Sequence, residues 1–367
     1  MMNVLLITLF LSRIQRRIVF KFRMSDKSEE QGTAESLSEQ THYIFAGVYA
    51  LLTFTAFSLN TLVLVTFRSD RSLRTHSNKL ILSMAVGDWL HALLAYPFGI
   101  LANVSKDWQS NHASCLWYAF ITAFLSFGVI LHHATFAIER AAVIRYSVAS
   151  VSIERKLRFV IIGLWMFALL WSTFPLAGWS AYAPEGAGLL CSIHWQSSDP
   201  GNIAFIACIF FFFFVGPIVT MATAYYSIYH TVKKISQNAH DLWGENAAPT
   251  LEAVQGESKT SRMAFIMSLC FIFAWTPYAM VSLYAVIRVP KPIISPLVAS
   301  LPAIFAKTAA CYNPIIYFLL FKKFRASLRK TLRPLAGCGR FTKRDAYNVK
   351  IELVTALTGS DKDGSKD

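Results

Sequence analysis

Apolar residues gather into stretches at roughly 43–67, 77–101, 112–138, 157–179, 202–231, 262–287 and 294–320, with ends set to within about 2–4 residues. Each reaches the ~20 residues that a helix needs to cross a hydrocarbon layer. The pattern predicts an all-α membrane protein with seven crossings. Pro97, Pro175, Pro217, Pro277 and Pro314 fall inside the runs. A proline breaks a soluble helix, but in a membrane bundle neighbouring groups take up the carbonyl it frees. The organisation that follows is an outer N-terminal segment over 1–42, a bundle over 43–320, a basic segment over 321–339 and a polar, disordered tail over 340–367.

Composition agrees, with 54% hydrophobic and only 15% charged residues against about 25% charged in soluble chains. An ordinary soluble enzyme, a disordered protein and a disulfide-stapled secreted domain are excluded. The net charge of +14 would suit nucleic acid, yet its distribution argues for topology. Arg68, Arg71, Arg74, Arg145, Arg155, Lys156, Lys233, Lys234, Lys259, Lys322, Lys323, Arg325, Arg329 and Lys330 follow the odd-numbered runs, whereas the other loops hold chiefly Lys106, Arg288 and Lys291. The positive-inside rule then puts the C-terminus in the cytoplasm and the N-terminus outside. The basic surplus serves orientation and anionic lipid, with no nucleic acid as partner. Residues 1–23 place Val4 to Leu11 before Arg13, Arg16, Arg17, Lys21 and Arg23, the reverse of a secretory signal. Met24 opens the polar run Ser25 to Gln40 and offers a second start.

Cys208, Cys270 and Cys311 lie within apolar runs, where a cysteine acts as a small hydrophobe. Cys115 and Cys191 fall on the outer, oxidising side, so a disulfide is expected over two free thiols. Cys338 is a candidate for palmitoylation. Asn103-Val104-Ser105 is a glycosylation sequon.

Two charged residues stand near the middle of apolar runs, Asp88 in the second and Lys307 in the seventh. A charge at the bilayer centre costs about 2.5–3.5 kcal/mol on insertion scales, so such residues are functional candidates by default. Lys307 stands some 11–13 residues from either end of its run, about 16–20 Å along a helix, too deep to snorkel. A lysine merely paired, or reaching a water pocket, is the competing explanation.

Lys307 precedes Asn313-Pro314-Ile315-Ile316-Tyr317 by six residues. Together with Asn60, Asp88, Cys115, Glu139-Arg140, Trp165, Pro217, Tyr225 and Trp275-Thr276-Pro277, this spacing resembles the animal opsins, the retinal-binding branch of the rhodopsin-like G-protein-coupled receptors. The resemblance covers about residues 43–333. It implies a seven-transmembrane-helix bundle with a short amphipathic eighth helix in 321–339 and a β-hairpin in the outer loop. Lys307 separates opsins from other members, and the resemblance implies that it holds retinal, 11-cis in the dark, as a Schiff base.

A protonated imine in the membrane needs a carboxylate near it. The third-helix position that supplies one in vertebrate visual pigments is Tyr118 here, and Gly99 offers none in the second helix. Glu185, six residues before Cys191, is similar to the counterion of bistable opsins. The resemblance also places Tyr118, Ala123, Ser126, Phe213, Trp275 and Tyr278 at the pocket, although plain packing would explain aromatics in so apolar a chain. Thr122 stands where amine receptors keep an aspartate. Asn60, Asp88 and Asn313 are similar to the family's central polar network, and Val129 replaces the serine of its sodium-binding members, so no metal is expected.

For the cytoplasmic switch the resemblance implies Glu139, Arg140, Tyr225, Glu257, Asn313, Pro314 and Tyr317, with Ala141 in place of the usual tyrosine. A heterotrimeric G protein, arrestin and a receptor kinase are the implied partners, at the plasma membrane. The reading is a light receptor and not an enzyme. Its rival is an opsin acting as a retinal photoisomerase with little G-protein signalling.

Overall fold

Among the described residues seven helices are long and apolar enough to cross a membrane: Glu39–Ser69, Asn78–Ser105, His112–Arg145, Lys156–Thr173, Pro200–Asn238, Ser258–Ile287 and Pro296–Leu320. They are numbered here as the first to seventh crossings. The computed structural model describes residues 37–75, 77–105, 112–145, 150–185, 190–243, 248–288 and 294–332, with the backbone alone at 150–155, 239–243, 248–255 and 257. Met24, Cys338, the tail and the side chain of Glu257 lie outside the described residues.

The apolar pattern overruns one helix end and falls short of three others. The fourth helix ends at Thr173, not near residue 179. Pro175 disfavours helical backbone at Phe174, and the chain turns instead, with Leu176 N and Ala177 N both donating to Thr173 O at 3.0 Å. Gly178 (φ 96°) and Ser180 (φ 77°) then adopt left-handed backbone. At the Arg140 end, the third, fifth and sixth helices run beyond their apolar stretches, to Arg145, to Trp243 and from Ala248. Backbone hydrogen bonding continues where hydrophobicity stops.

Two crossings are interrupted. The second splits into Asn78–Leu94 and Tyr96–Ser105, just before Pro97. The seventh splits into Pro296–Lys307 and Ala309–Leu320, so the break falls beside the intramembrane lysine. In the fifth, Phe211–Val215 forms a π-helical turn between Pro200–Phe210 and Gly216–Trp243, an irregularity that recurs at functional sites.

Trp165 locks the second, third and fourth crossings together. Its Nε1 donates to Ser83 Oγ at 2.9 Å, and Ser83 lies 2.9 Å from His132 Nε2. His132 Nδ1 is 2.8 Å from the Gly128 carbonyl, which only accepts, so Nδ1 carries the proton and Ser83 donates to Nε2. The indole lies flat on two glycines: a Cβ at Gly87 would stand 2.8 Å from its ring, and one at Gly128 closer still.

Strands β1 (Tyr182–Glu185) and β2 (Leu190–Ile193) pair antiparallel, with Pro184 opposite Cys191 and Glu185 opposite Leu190. The Cys115–Cys191 disulfide ties the hairpin to the third crossing. Tyr182 Oη donates to Ser172 O at 2.8 Å, which fixes it to the end of the fourth. The hairpin thereby closes one end of the bundle. At the other end a short helix, Lys322–Leu332, buries Phe324 against Phe67 and Tyr317 while Lys322, Lys323, Arg329 and Lys330 stay exposed.

Candidate ligand-binding site

Local backbone sets the pose of Lys307. Around the break in the seventh crossing the bonds tighten, with Thr308 N donating to Phe305 O at 3.1 Å and Cys311 N to Thr308 O at 3.0 Å. Cys311 therefore does not serve the Lys307 carbonyl, which accepts from Tyr96 Oη at 2.8 Å instead. The side chain is 8% exposed. Its Nζ donates to Ala303 O at 3.2 Å and lies 5.8 Å from the centre of the Tyr118 ring.

The amine opens into a cavity that also meets Tyr49, Tyr118, Glu185, Ser192, Trp275 and Tyr278. A second cavity adjoins it and shares Thr122, Cys191, Ser192, Trp275 and Tyr278 with it. Its walls are mainly apolar and include Ala119, Ala123, Phe127, Phe213 and Phe271, with Ser126 and Ser282 among them. Phe213, carried by the π turn, stacks on Phe127 with ring centres 4.0 Å apart. The combined space suits a long apolar ligand, with a few polar groups to orient it.

Glu185 comes to the Lys307 cavity from β1. Its carboxylate accepts from Tyr278 Oη at 3.3 Å. Trp195 Nε1, which can only donate, meets the same phenol oxygen at 3.0 Å, so the phenol's proton is directed to Glu185. Burial raises the Glu185 carboxyl above the ordinary carboxylate range; the Lys307 charge and hydrogen bonds from Ser192 and Tyr278 offset this in part. Cation and carboxylate thus share one cavity without a direct ion pair among the described residues.

Deeper in the bundle, Pro314 has no N–H and leaves the carbonyl of Ala310 without its helical donor. Asn60 Nδ2 fills that place at 3.0 Å. Asn313 Nδ2 donates to Asp88 Oδ2 at 3.1 Å. Asp88 and Asn313 accordingly meet, while Asn60 engages the seventh-crossing backbone.

At the end opposite the hairpin, Glu139 Oε2 and Oε1 accept from Arg140 Nε and Nη2, both at 2.6 Å. Ser77 Oγ donates to Glu139 Oε1 at 2.6 Å and accepts from Arg140 Nη2. Tyr225 Oη lies 3.1 Å from Ser268 Oγ, joining the fifth and sixth crossings. Tyr317 packs on Phe324. Asn103, the asparagine of the sequon, is 2% exposed and donates to Gly99 O at 2.8 Å.

The profile described as "7 transmembrane receptor (rhodopsin family)" matches residues 59–317. The chain belongs to that family, as an animal opsin. Rhodopsin of the octopus Enteroctopus dofleini is 30% identical over 328 residues, covering 87% of this chain and 71% of that one. Melanopsin of Phodopus sungorus is 32% identical over 298 residues, 80% of this chain and 63% of that one. The opsin spans less than two thirds of the length of this melanopsin and of those from Felis catus (61%) and Danio rerio (62%, melanopsin-like). The crystal structure of squid rhodopsin superposes with a TM-score of 0.75 at 27% identity, over 86% of this chain and 92% of that one. Seven apolar helices within this family make the opsin an integral membrane protein.

The fold brings Lys307, Glu185, Tyr118, Ala123, Ser126, Phe213, Trp275 and Tyr278 onto the two joined cavities. Sequence reasoning missed Tyr49, Ser192, Trp195, Phe127 and Ser282. Ser192 adjoins Cys191 and could have been found as a neighbour of the tether; the others carry no local signal.

Proposed function

We propose that this opsin is a light-activated receptor that carries retinal, 11-cis in the dark, as a protonated Schiff base on Lys307 and signals to a heterotrimeric G protein. The observation that carries the reading is the buried amine of Lys307 at the mouth of a long, aromatic-walled space, with Glu185 on the same cavity. These residues fit retinal: an amine for its aldehyde, an apolar sleeve for its polyene, and a carboxylate for the charge created at the linkage. The unpartnered Nε1 of Trp275 also faces this space. When bound, retinal supplies visible absorption and a light-driven change of shape.

The chain's own groups do the rest. Lys307 tethers the ligand and Glu185 neutralises the charge, held by Tyr278 and through it by Trp195. Trp275 contacts Phe271 below it, with ring centres 5.8 Å apart, and both lie on the sixth crossing, which contains Pro277. A change of ligand shape at Trp275 therefore acts on the sixth crossing, which packs against the third. The Glu139–Arg140–Ser77 cluster is the resting latch of the G-protein cleft, on the cytoplasmic side with the C-terminus; the hairpin and N-terminus face outside at the plasma membrane. Arrestin and a receptor kinase bind the same cytoplasmic face.

The photoisomerase reading is favoured by one residue, Ala141, where the family keeps a tyrosine. One experiment addresses both. Opsin expressed with 11-cis-retinal is purified and assayed for a visible band and for light-dependent nucleotide exchange on a G protein. A band with exchange supports the receptor, a band without exchange the photoisomerase, and the absence of a band overturns the retinal reading.

A further inference from the structure

Membrane helices hide hydroxyls by bonding them back to the carbonyl four residues earlier, as Thr276 does to Ile272 O at 2.7 Å and Ser268 to Ala264 O at 3.0 Å on the sixth crossing. Among the described residues three buried serines decline that option: Ser261, outside both cavity linings, and two within one of them. Ser126 on the third crossing and Ser282 on the sixth are 7% and 2% exposed, and neither hydroxyl has a hydrogen-bond partner among the described residues. Both line the second cavity, among Phe127, Phe213 and Phe271. Neither lines the part that holds Lys307, so they meet the end of a ligand remote from its tether. Thr122 is also unpartnered, but lies where the two spaces join.

A pure hydrocarbon end would seal two hydroxyls in an apolar wall with nothing to bond, the costly half of hydrogen-bond energetics. A ligand hydroxyl can donate and accept, which answers a pair of serines. We infer that Ser126 and Ser282 form a subsite for a polar group, so that the chromophore this opsin prefers is a polyene aldehyde hydroxylated at its ring end. The inference rests on the proposed retinal reading and specifies its ligand.

The test is a competition. Opsin is supplied with equimolar 11-cis-retinal and 11-cis-3-hydroxyretinal, the pigment is purified, and the bound chromophores are released with hydroxylamine and quantified by chromatography. The parent should take up the hydroxylated form in about tenfold excess, the scale of recovering buried hydrogen bonds. The double variant Ser126→Ala/Ser282→Ala should bring the ratio to about one, while Ser282→Thr, which keeps the hydroxyl, should retain the preference. A parental ratio near one, or a preference that survives the double alanine, overturns the subsite. Pigment from neither chromophore overturns the retinal reading and the subsite with it.

Discussion

Arg140 and Lys307 are both buried cations, at 3% and 8% exposure, yet the bundle treats them differently. Arg140 is gripped by both oxygens of Glu139 at 2.6 Å and by Ser77. Lys307 has a single backbone carbonyl at 3.2 Å and an aromatic ring beside it, with its nearest carboxylate, Glu185, spent on Tyr278 and Ser192. A buried charge whose partners are complete is a latch. One whose surroundings are incomplete, and which opens into an apolar cavity, is a place for something to bind.

The largest effect should come from deleting the incomplete cation. Lys307→Ala is expected to abolish the visible band after reconstitution with retinal, while surface expression stays within about twofold, because the change removes an insertion penalty. A surviving band would mean that another amine holds the ligand. Next comes the tether. Cys115→Ala or Cys191→Ala frees the hairpin that brings Glu185 to the cavity, and losing a native disulfide costs about 2–5 kcal/mol. Folded yield and thermal midpoint should fall in each; two single variants that bind retinal like the parent would show that the hairpin needs no tether.

Glu185→Gln tests the other half of the pair. With the carboxylate gone the protonated imine loses its partner and its pKa drops, so the dark band should move to the near-ultraviolet at neutral pH. Before retinal binds, the same carboxylate is a burden. Its proton is held more tightly folded than unfolded, so its contribution to stability is present at acid pH and is lost as pH rises through the raised value. The ligand-free parent should therefore lose thermal midpoint with rising pH along a slope that Glu185→Gln lacks. Parallel pH curves would place the carboxylate in water.

What could be read in the sequence follows from contrast. Lys307 and Asp88 stand out because a charge in an apolar run has no ordinary explanation, and Cys115 with Cys191 because of the side they occupy. The cavity walls carry no such contrast. Lipid and protein interior are equally apolar, so hydrophobicity does not say which face of a membrane helix turns inward: Phe159 is 71% exposed and Phe213 is 6%, though both sit in similar runs. Only the resemblance to opsins singled out Phe213, and it was silent on Phe127, Trp195 and Ser282. The same blindness carried the fourth helix past Pro175 into a turn. At Asn103 the sequon was legible but its burial was not.

A milder change loosens the complete cation. Glu139→Gln keeps a hydrogen bond to Arg140 but removes the charge, which weakens the pair by about 1–2 kcal/mol. Nucleotide exchange in the dark should rise a few-fold, and Arg140→Ala should lower the light-driven rate. Unchanged dark exchange in Glu139→Gln would mean that the pair holds structure only.

The smallest effect is expected where the chain leaves the bundle. Asp70, after the first crossing, accepts from Ser327 Oγ on the Lys322–Leu332 helix and from Ser72 N at 2.8 Å. These bonds, Ser327 first, with the Lys330 charge as a lesser cause, hold its carboxyl down to about 2. A carboxyl lowered by folding stabilises the fold above its ordinary range, near 4, and that contribution is lost as pH falls towards about 2. The site is open to solvent, so screening keeps the contribution small. Asp70→Asn should leave the visible band in place and lower the thermal midpoint by about 1 °C at pH 6, with the difference shrinking as the pH is taken towards 3. Ser327→Ala should do the same through loss of the main donor. A midpoint loss as large at pH 3 as at pH 6 would assign the contact to shape instead of charge.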